Sequence, residues 1–210
     1  MKRDLMKIGA AVVATAVLTF AISGFQANGS KMAVVDMQRI LGESKAGKKI
    51  QDDMNIQINL RQGLLEFVNT NKIVTDEQAA KLKDLTLKAN ATQADKDELE
   101  RIKTAVRAES KKFNDLMVKQ TLTDAERTQF QTLNDRRRAS DALLSKWNDE
   151  FSQDLSTMRD DMLSNVLKKA RDAVQDVGKK EGYTLIFPTT VAVYAANDIT
   201  DAAIKAVDGS

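Results

Sequence analysis

Between residues 139 and 177 the chain contains neither glycine nor proline, and its apolar residues recur with helical spacing. Leu144, Trp147, Phe151, Leu155, Met158, Met162, Val166, Ala170, Val174 and Val177 follow one another in steps of three and four. The mean step is close to the ~3.67 of an eleven-residue repeat, which predicts a nearly straight helix carrying one apolar stripe. At about 1.5 Å per residue such a helix reaches about 60 Å, more than a small core requires. A chain with this element must be mainly α-helical and extended.

Composition agrees. One proline and nine glycines in 210 residues, with 30% charged and 5% aromatic residues, describe solvated helices better than a β-sandwich. The absence of cysteine and histidine removes the thiol nucleophile, the commonest general base and the best zinc ligands. The adjacent carboxylates Asp52 and Asp53, Asp97 and Glu98, and Asp160 and Asp161 do not replace them. Neighbours on a helix diverge by about 100°, so neither member of a pair converges on a shared site. The glycines at 42 and 47 lack the G-K-S/T ending of a phosphate loop. No enzyme, catalytic residue, metal or cofactor is expected.

Lys2, Arg3 and Lys7 precede an uncharged stretch over 8–22, followed by the small residues Ser23 and Gly24. This predicts a secretory signal peptide cleaved after residue 23, or as late as 27, because the apolar run is shorter than the roughly 18–20 residues that span a bilayer. The remaining chain then carries 29 basic and 29 acidic residues, so no overall charge argues for nucleic acid.

Further along, K-M-A-V-V-D-M (31–37) suits a buried strand, and a short helix should follow with Ile40 and Leu41 inward, ended or bent by Gly42 or Gly47. Ile50, Met54, Ile58, Leu65 and Val68 predict an amphipathic helix to about Thr70. Ile56, Leu60, Leu64 and Phe67 form a second stripe on it, implying burial on two sides or an apolar side left open. In the middle, Thr75, Thr92 and Thr123 each stand three residues before Gln78, Asp95 and Glu126. Each threonine reads as a helix N-cap, so 71–138 is expected to hold several helices joined by polar turns, with the long helix resuming near Ala139. Gly178 and Gly182 bracket its end, residues 185–187 and 191–195 read as adjoining strands, and Asp198 as the cap of a last helix through Val207. Three short strands and two small helices bury little and leave open sheet edges, which self-association would cover.

V-V-D-M-Q-R-I-L-G-E-S-K-A-G-K-K (34–49) together with Y-T-L-I-F-P (183–188) and V-A-V-Y-A-A-N-D-I-T-D-A-A-I (191–204) resembles the Skp (OmpH-like) family at both ends of the mature chain. The resemblance implies a jellyfish-like homotrimer. A small α+β trimerisation body (31–47 and 182–210) would carry a long α-helical hairpin, or tentacle (48–181), whose extended and segmented distal part is 71–138. It also implies a periplasmic, ATP-independent holdase that shelters unfolded outer-membrane proteins in its cavity. Trimer contacts would then fall to Val34, Val35, Leu185, Phe187, Val191, Val193 and Tyr194.

An adaptable apolar lining for clients would draw on Met54, Ile58, Phe67, Phe113, Met117, Trp147, Phe151, Met158 and Met162, because methionine and aromatic groups adapt to many partners. The same residues could simply pack the hairpin. Arg136, Arg137 and Arg138 form the densest basic run. Such a run is ordinarily a solvated face, and its alternative use is contact with phospholipid or lipopolysaccharide. A structural coiled coil of the envelope, or a lipid-surface binder, are the competing functions.

Overall fold

The computed structural model describes residues 30–192 and 194–209, so the signal-peptide expectation and Val193 lie outside the described residues. The element order is β1 (Met32–Val35), α1 (Met37–Glu43), α2 (Lys45–Asn71), α3 (Asp76–Leu87), α4 (Gln93–Met117), α5 (Asp124–Glu181), β2 (Leu185–Pro188) and α6 (Thr200–Asp208). The protein is mainly α-helical with a small two-stranded sheet. It divides into two compact units, one taking the chain up to Ser44 and from Lys168 onward, the other Lys45–Leu167.

In the first unit β1 and β2 pair in parallel, Met32 opposite Leu185 and Val35 opposite Pro188. Pro188 has no N–H to give, and the Thr189 amide instead donates to Val35 O (3.0 Å). Among the described residues of 191–195, where a third strand was expected, none is in a strand. Val191 and Ala192 turn back to donate to Pro188 O (2.8 and 3.1 Å), and the chain then lays Asn197 and Ile199 along the other edge of β1. There Val34 donates to Asn197 O (2.9 Å) and accepts from Ile199 (3.0 Å), so β1 has both edges covered and a parallel bridge joins Val34 to Asp198. The apolar run had strand character, but the hydrogen bonds open at β1 were met by the segment after it.

Asp36 starts α1, its Oδ1 accepting from the amides of Gln38 (2.9 Å) and Arg39 (3.0 Å). Its own amide donates to Thr200 Oγ1 (2.9 Å), tying α1 to α6. Ile40, Ala203 and Val207 are buried. Neither Gly42 nor Gly47 breaks the chain. Gly42 lies inside α1 and Gly47 inside α2, and the break falls at buried Ser44, whose amide still donates to Ile40 O.

α5 ends on Gly182 at φ +75°, with Tyr183 donating to Gly178 O (2.9 Å) and Gly182 to Lys179 O (3.4 Å). This is a Schellman termination, which places glycine where a side chain would meet its own carbonyl. Gly178 serves a different need: a Cβ there would stand 2.6 Å from Ile186 Cδ1, so its absence lets β2 lie close to the helix. Gly182→Ala is expected to cost about 1–2 kcal/mol, read as a lowered urea midpoint.

The second unit is built by α2, α3, α4 and the first part of α5. α5 does not resume at Ala139; it begins at Asp124 and runs 58 residues without a break. The reason is local, since Thr123 caps it and nothing between there and Ala139 interrupts a helix. Two chain reversals use non-glycine residues in the left-handed region, Lys72 (φ 51°) and Asn90 (φ 57°). Leu64, Val68, Val74, Ala79, Leu82, Ile102, Val106, Trp147 and Phe151 form one core, and Ile73, Phe113, Leu116 and Leu133 a second. Residues 71–138 are segmented into α3, α4 and the start of α5, and these pack with α2 and the following part of α5 in this one unit.

Candidate client-binding and assembly surfaces

All three threonine caps form. Thr75 Oγ1 accepts from the Gln78 amide (3.2 Å) while Gln78 Oε1 accepts from the Thr75 amide (3.0 Å). Asp95 and Glu126 reciprocate in the same way at Thr92 and Thr123. Two of these caps have a third member that the sequence reading did not single out. Lys88 Nζ donates to both oxygens of Asp95 (2.8 and 2.8 Å), and Lys119 Nζ to both of Glu126 (2.6 and 2.8 Å). Lysine, threonine and acid stand at the same offsets in both copies, so one lock closes the turn into α4 and again the turn into α5.

These contacts hold both carboxyls at about 2, chiefly through the lysine bonds and then through the threonine bonds. A carboxyl with a lowered folded-state value stabilises the fold fully above its unfolded value and loses that contribution as pH falls through the folded one. The turns should therefore loosen between the ordinary carboxylate range and about pH 2. Carboxyl-carbon NMR titration is expected to place both midpoints near that lower value, and Lys88→Met or Lys119→Met should each raise the midpoint of its own partner.

The nine expected client contacts do not form one open lining. Met54, Phe113, Trp147 and Phe151 are buried in the unit. Trp147 stacks on Phe151 with ring centroids 5.7 Å apart, and Phe113 on Phe130 at 5.3 Å, because the returning helices α3 and α4 cover faces that an open hairpin would expose. Ile58, Phe67, Met158 and Met162 are half-buried. Met117 alone of the nine is well exposed, at 56%. The exposed Ile56 and Val118 belong with it; Ile56 was legible in the second stripe of α2, whereas Val118 stands in the turn after α4 and carried no periodic signal.

The expected assembly residues divide as well. Val34 and Val35 are buried within their own unit, Val34 bonded by its backbone to Asn197 and Ile199. Leu185 is half-exposed and Phe187 partly buried, while Val191 (72%) and Tyr194 (85%) are open, as is half of Met32 opposite Leu185. Lys31 joins this region, its Nζ 4.1 Å from the Tyr183 ring centroid and donating to Glu181 O at 2.7 Å.

The arginine run is partly engaged. Arg136 pairs with Glu109 (2.7 Å), Arg137 lies 6.0 Å from the Phe113 ring centroid, and Arg138 is exposed. The carboxylate pairs serve helix surfaces: Asp53 binds Lys49 (2.9 Å), Asp97 accepts from Gln93 (2.8 Å) and Asp160 binds Arg159 (3.2 Å). Among the described residues no group of three or more acidic side chains could hold a metal ion, and no helix is long and apolar enough to cross a membrane.

The described residues form a mainly α-helical protein with a small two-stranded parallel sheet. Residues 65–207 match the family described as outer membrane protein (OmpH-like), and the chain belongs to that family. Membership in this Skp/OmpH-type chaperone family is consistent with a non-enzymatic periplasmic function, with outer-membrane proteins as the general class of partner. No curated protein and no solved structure matches the chain.

Proposed function

We propose that the protein is an ATP-independent holdase of the periplasm that binds unfolded outer-membrane proteins and keeps them from aggregating. The observation that carries this reading is the OmpH-like match over 65–207. In this proposal a homotrimer assembles through residues 31–47 and 182–210, and residues 48–181 form helical arms around the client, 71–138 being their distal part. The open apolar groups Met32, Leu185, Val191 and Tyr194 support self-association, because a two-stranded sheet leaves the outer edge of β2 and these side chains to be covered. Client contact falls to Ile58, Phe67, Met117, Met158 and Met162, and any contact with anionic lipid to Arg138.

Mixing the mature chain without nucleotide with an outer-membrane barrel diluted from urea tests the reading. Light scattering should stay low at stoichiometric amounts of chaperone, and a native mass spectrum should contain three subunits with one barrel. Unchanged aggregation would remove the holdase, and a monomer that still suppresses aggregation would remove only the trimer.

A further inference from the structure

Within the second unit, α2, α3 and α4 enclose a groove of about 270 Å³ lined by Leu60, Gly63, Leu64, Phe67, Thr86 and Lys103. Its floor lies on the second apolar stripe of α2, the stripe that also leaves Ile56 exposed. Gly63 sits in the middle of that 27-residue helix, where glycine costs about 1 kcal/mol relative to alanine. Nothing in the fold demands it, since a Cβ built there meets no atom within 4 Å. The smallness of residue 63 opens space above the helix without accommodating a neighbour inside it.

Two polar features say what would fill the space. The Thr86 hydroxyl oxygen is buried and has no hydrogen-bond partner among the described residues, so a partner that brings a polar backbone atom would satisfy it. At the rim, Lys103 and Arg107 share a single carboxylate, Glu100, at 2.9 and 3.9 Å, and the Arg107 guanidinium stands 5.5 Å from the Phe67 ring centroid. Two cations on one anion leave positive charge beside an apolar slot.

Resting on the chaperone reading above, we propose that this groove is a docking subsite for an unfolded polypeptide segment that carries one large apolar side chain next to a carboxylate. The apolar group sits over Gly63 between Leu60 and Phe67, the carboxylate meets Arg107, and a backbone carbonyl accepts from Thr86. Charge complementarity at the rim favours such a segment over a second copy of the same helix face, which would bring its own Lys103 and Arg107 against these.

The test uses the full mature chain and a fluorescently labelled outer-membrane barrel diluted from urea. Gly63→Leu fills the groove from within. It should leave the melting temperature unchanged or raised, and weaken capture of the barrel roughly ten-fold, as expected for losing burial of one large apolar group. Gln62→Leu adds the same apolar surface at the adjacent exposed position and should leave capture unchanged. Arg107→Glu, on the solvent side, should weaken capture in the same direction and keeps the proposal testable were Gly63→Leu to misfold. Wild-type affinity in both Gly63→Leu and Arg107→Glu would overturn the subsite while leaving the holdase intact. A change in subunit number with Gly63→Leu would overturn it in favour of contact between copies. Failure of the wild type to capture the barrel would remove the holdase reading, and the subsite with it.

Discussion

Trp147→Ala should lower the stability of the helical unit by about 3–5 kcal/mol, the loss expected when a large aromatic group is removed from a packed core. Trp147 is buried against Phe151 in the cluster that also holds Leu64, Val68, Leu82 and Val106. Because it is the only tryptophan, unfolding must be followed by circular dichroism in urea. The companion variant Met117→Ala should move the midpoint by less than about 0.5 kcal/mol, since that side chain is mostly in water. The pair separates two roles that look alike in the sequence. Had Trp147 been an open client contact, its replacement would leave the midpoint in place and reduce capture alone.

The second large effect concerns Arg61, which is 6% exposed and, with Met54, Leu64 and Val68, is among the buried residues of α2. Its Nη1 donates to Gln57 Oε1 at 2.7 Å, its Nη2 lies 3.8 Å from Asp154 Oδ2, and its guanidinium is 5.5 Å from the Phe151 ring centroid. Nε is buried with no partner among the described residues. A charge taken out of water with incomplete pairing gives little net stability, and replacing it by an apolar group of similar length is often neutral or stabilising by about 1–4 kcal/mol. Arg61→Met should therefore hold or raise the urea midpoint. Gln57→Leu leaves the guanidinium without its nearest acceptor and should cost about 1.5–3 kcal/mol, the range for a hydrogen bond to a charged group. If both substitutions destabilise alike, Arg61 contributes as a well-paired ion and the argument from incomplete pairing fails.

The helical caps were legible because a cap is decided within four residues. Thr75, Thr92 and Thr123 needed only the residue three positions on, and all three closed as expected. Lys88 and Lys119 were missed because each reaches an acid seven residues away across a turn, a distance that means nothing until the turn is known. The run over 191–195 shows the opposite failure. Its composition was that of a strand, yet whether a strand forms depends on which backbone edge is open beside it, and residues 197–199 occupied that edge.

By itself the sequence determined the helical character of the chain, its three threonine caps, its closing glycine at 182 and its likeness to the OmpH-like family, since each of these depends on spacing or on a few neighbouring residues; Asp198, expected to cap the last helix, stands one residue before its N-cap, Ile199. Only the tertiary structure decided which apolar stripes are covered. Periodicity says that Trp147 and Phe151 share a face, but the residues that bury them come from between Leu64 and Val106, and burial follows from where those helices return, not from the stripe itself.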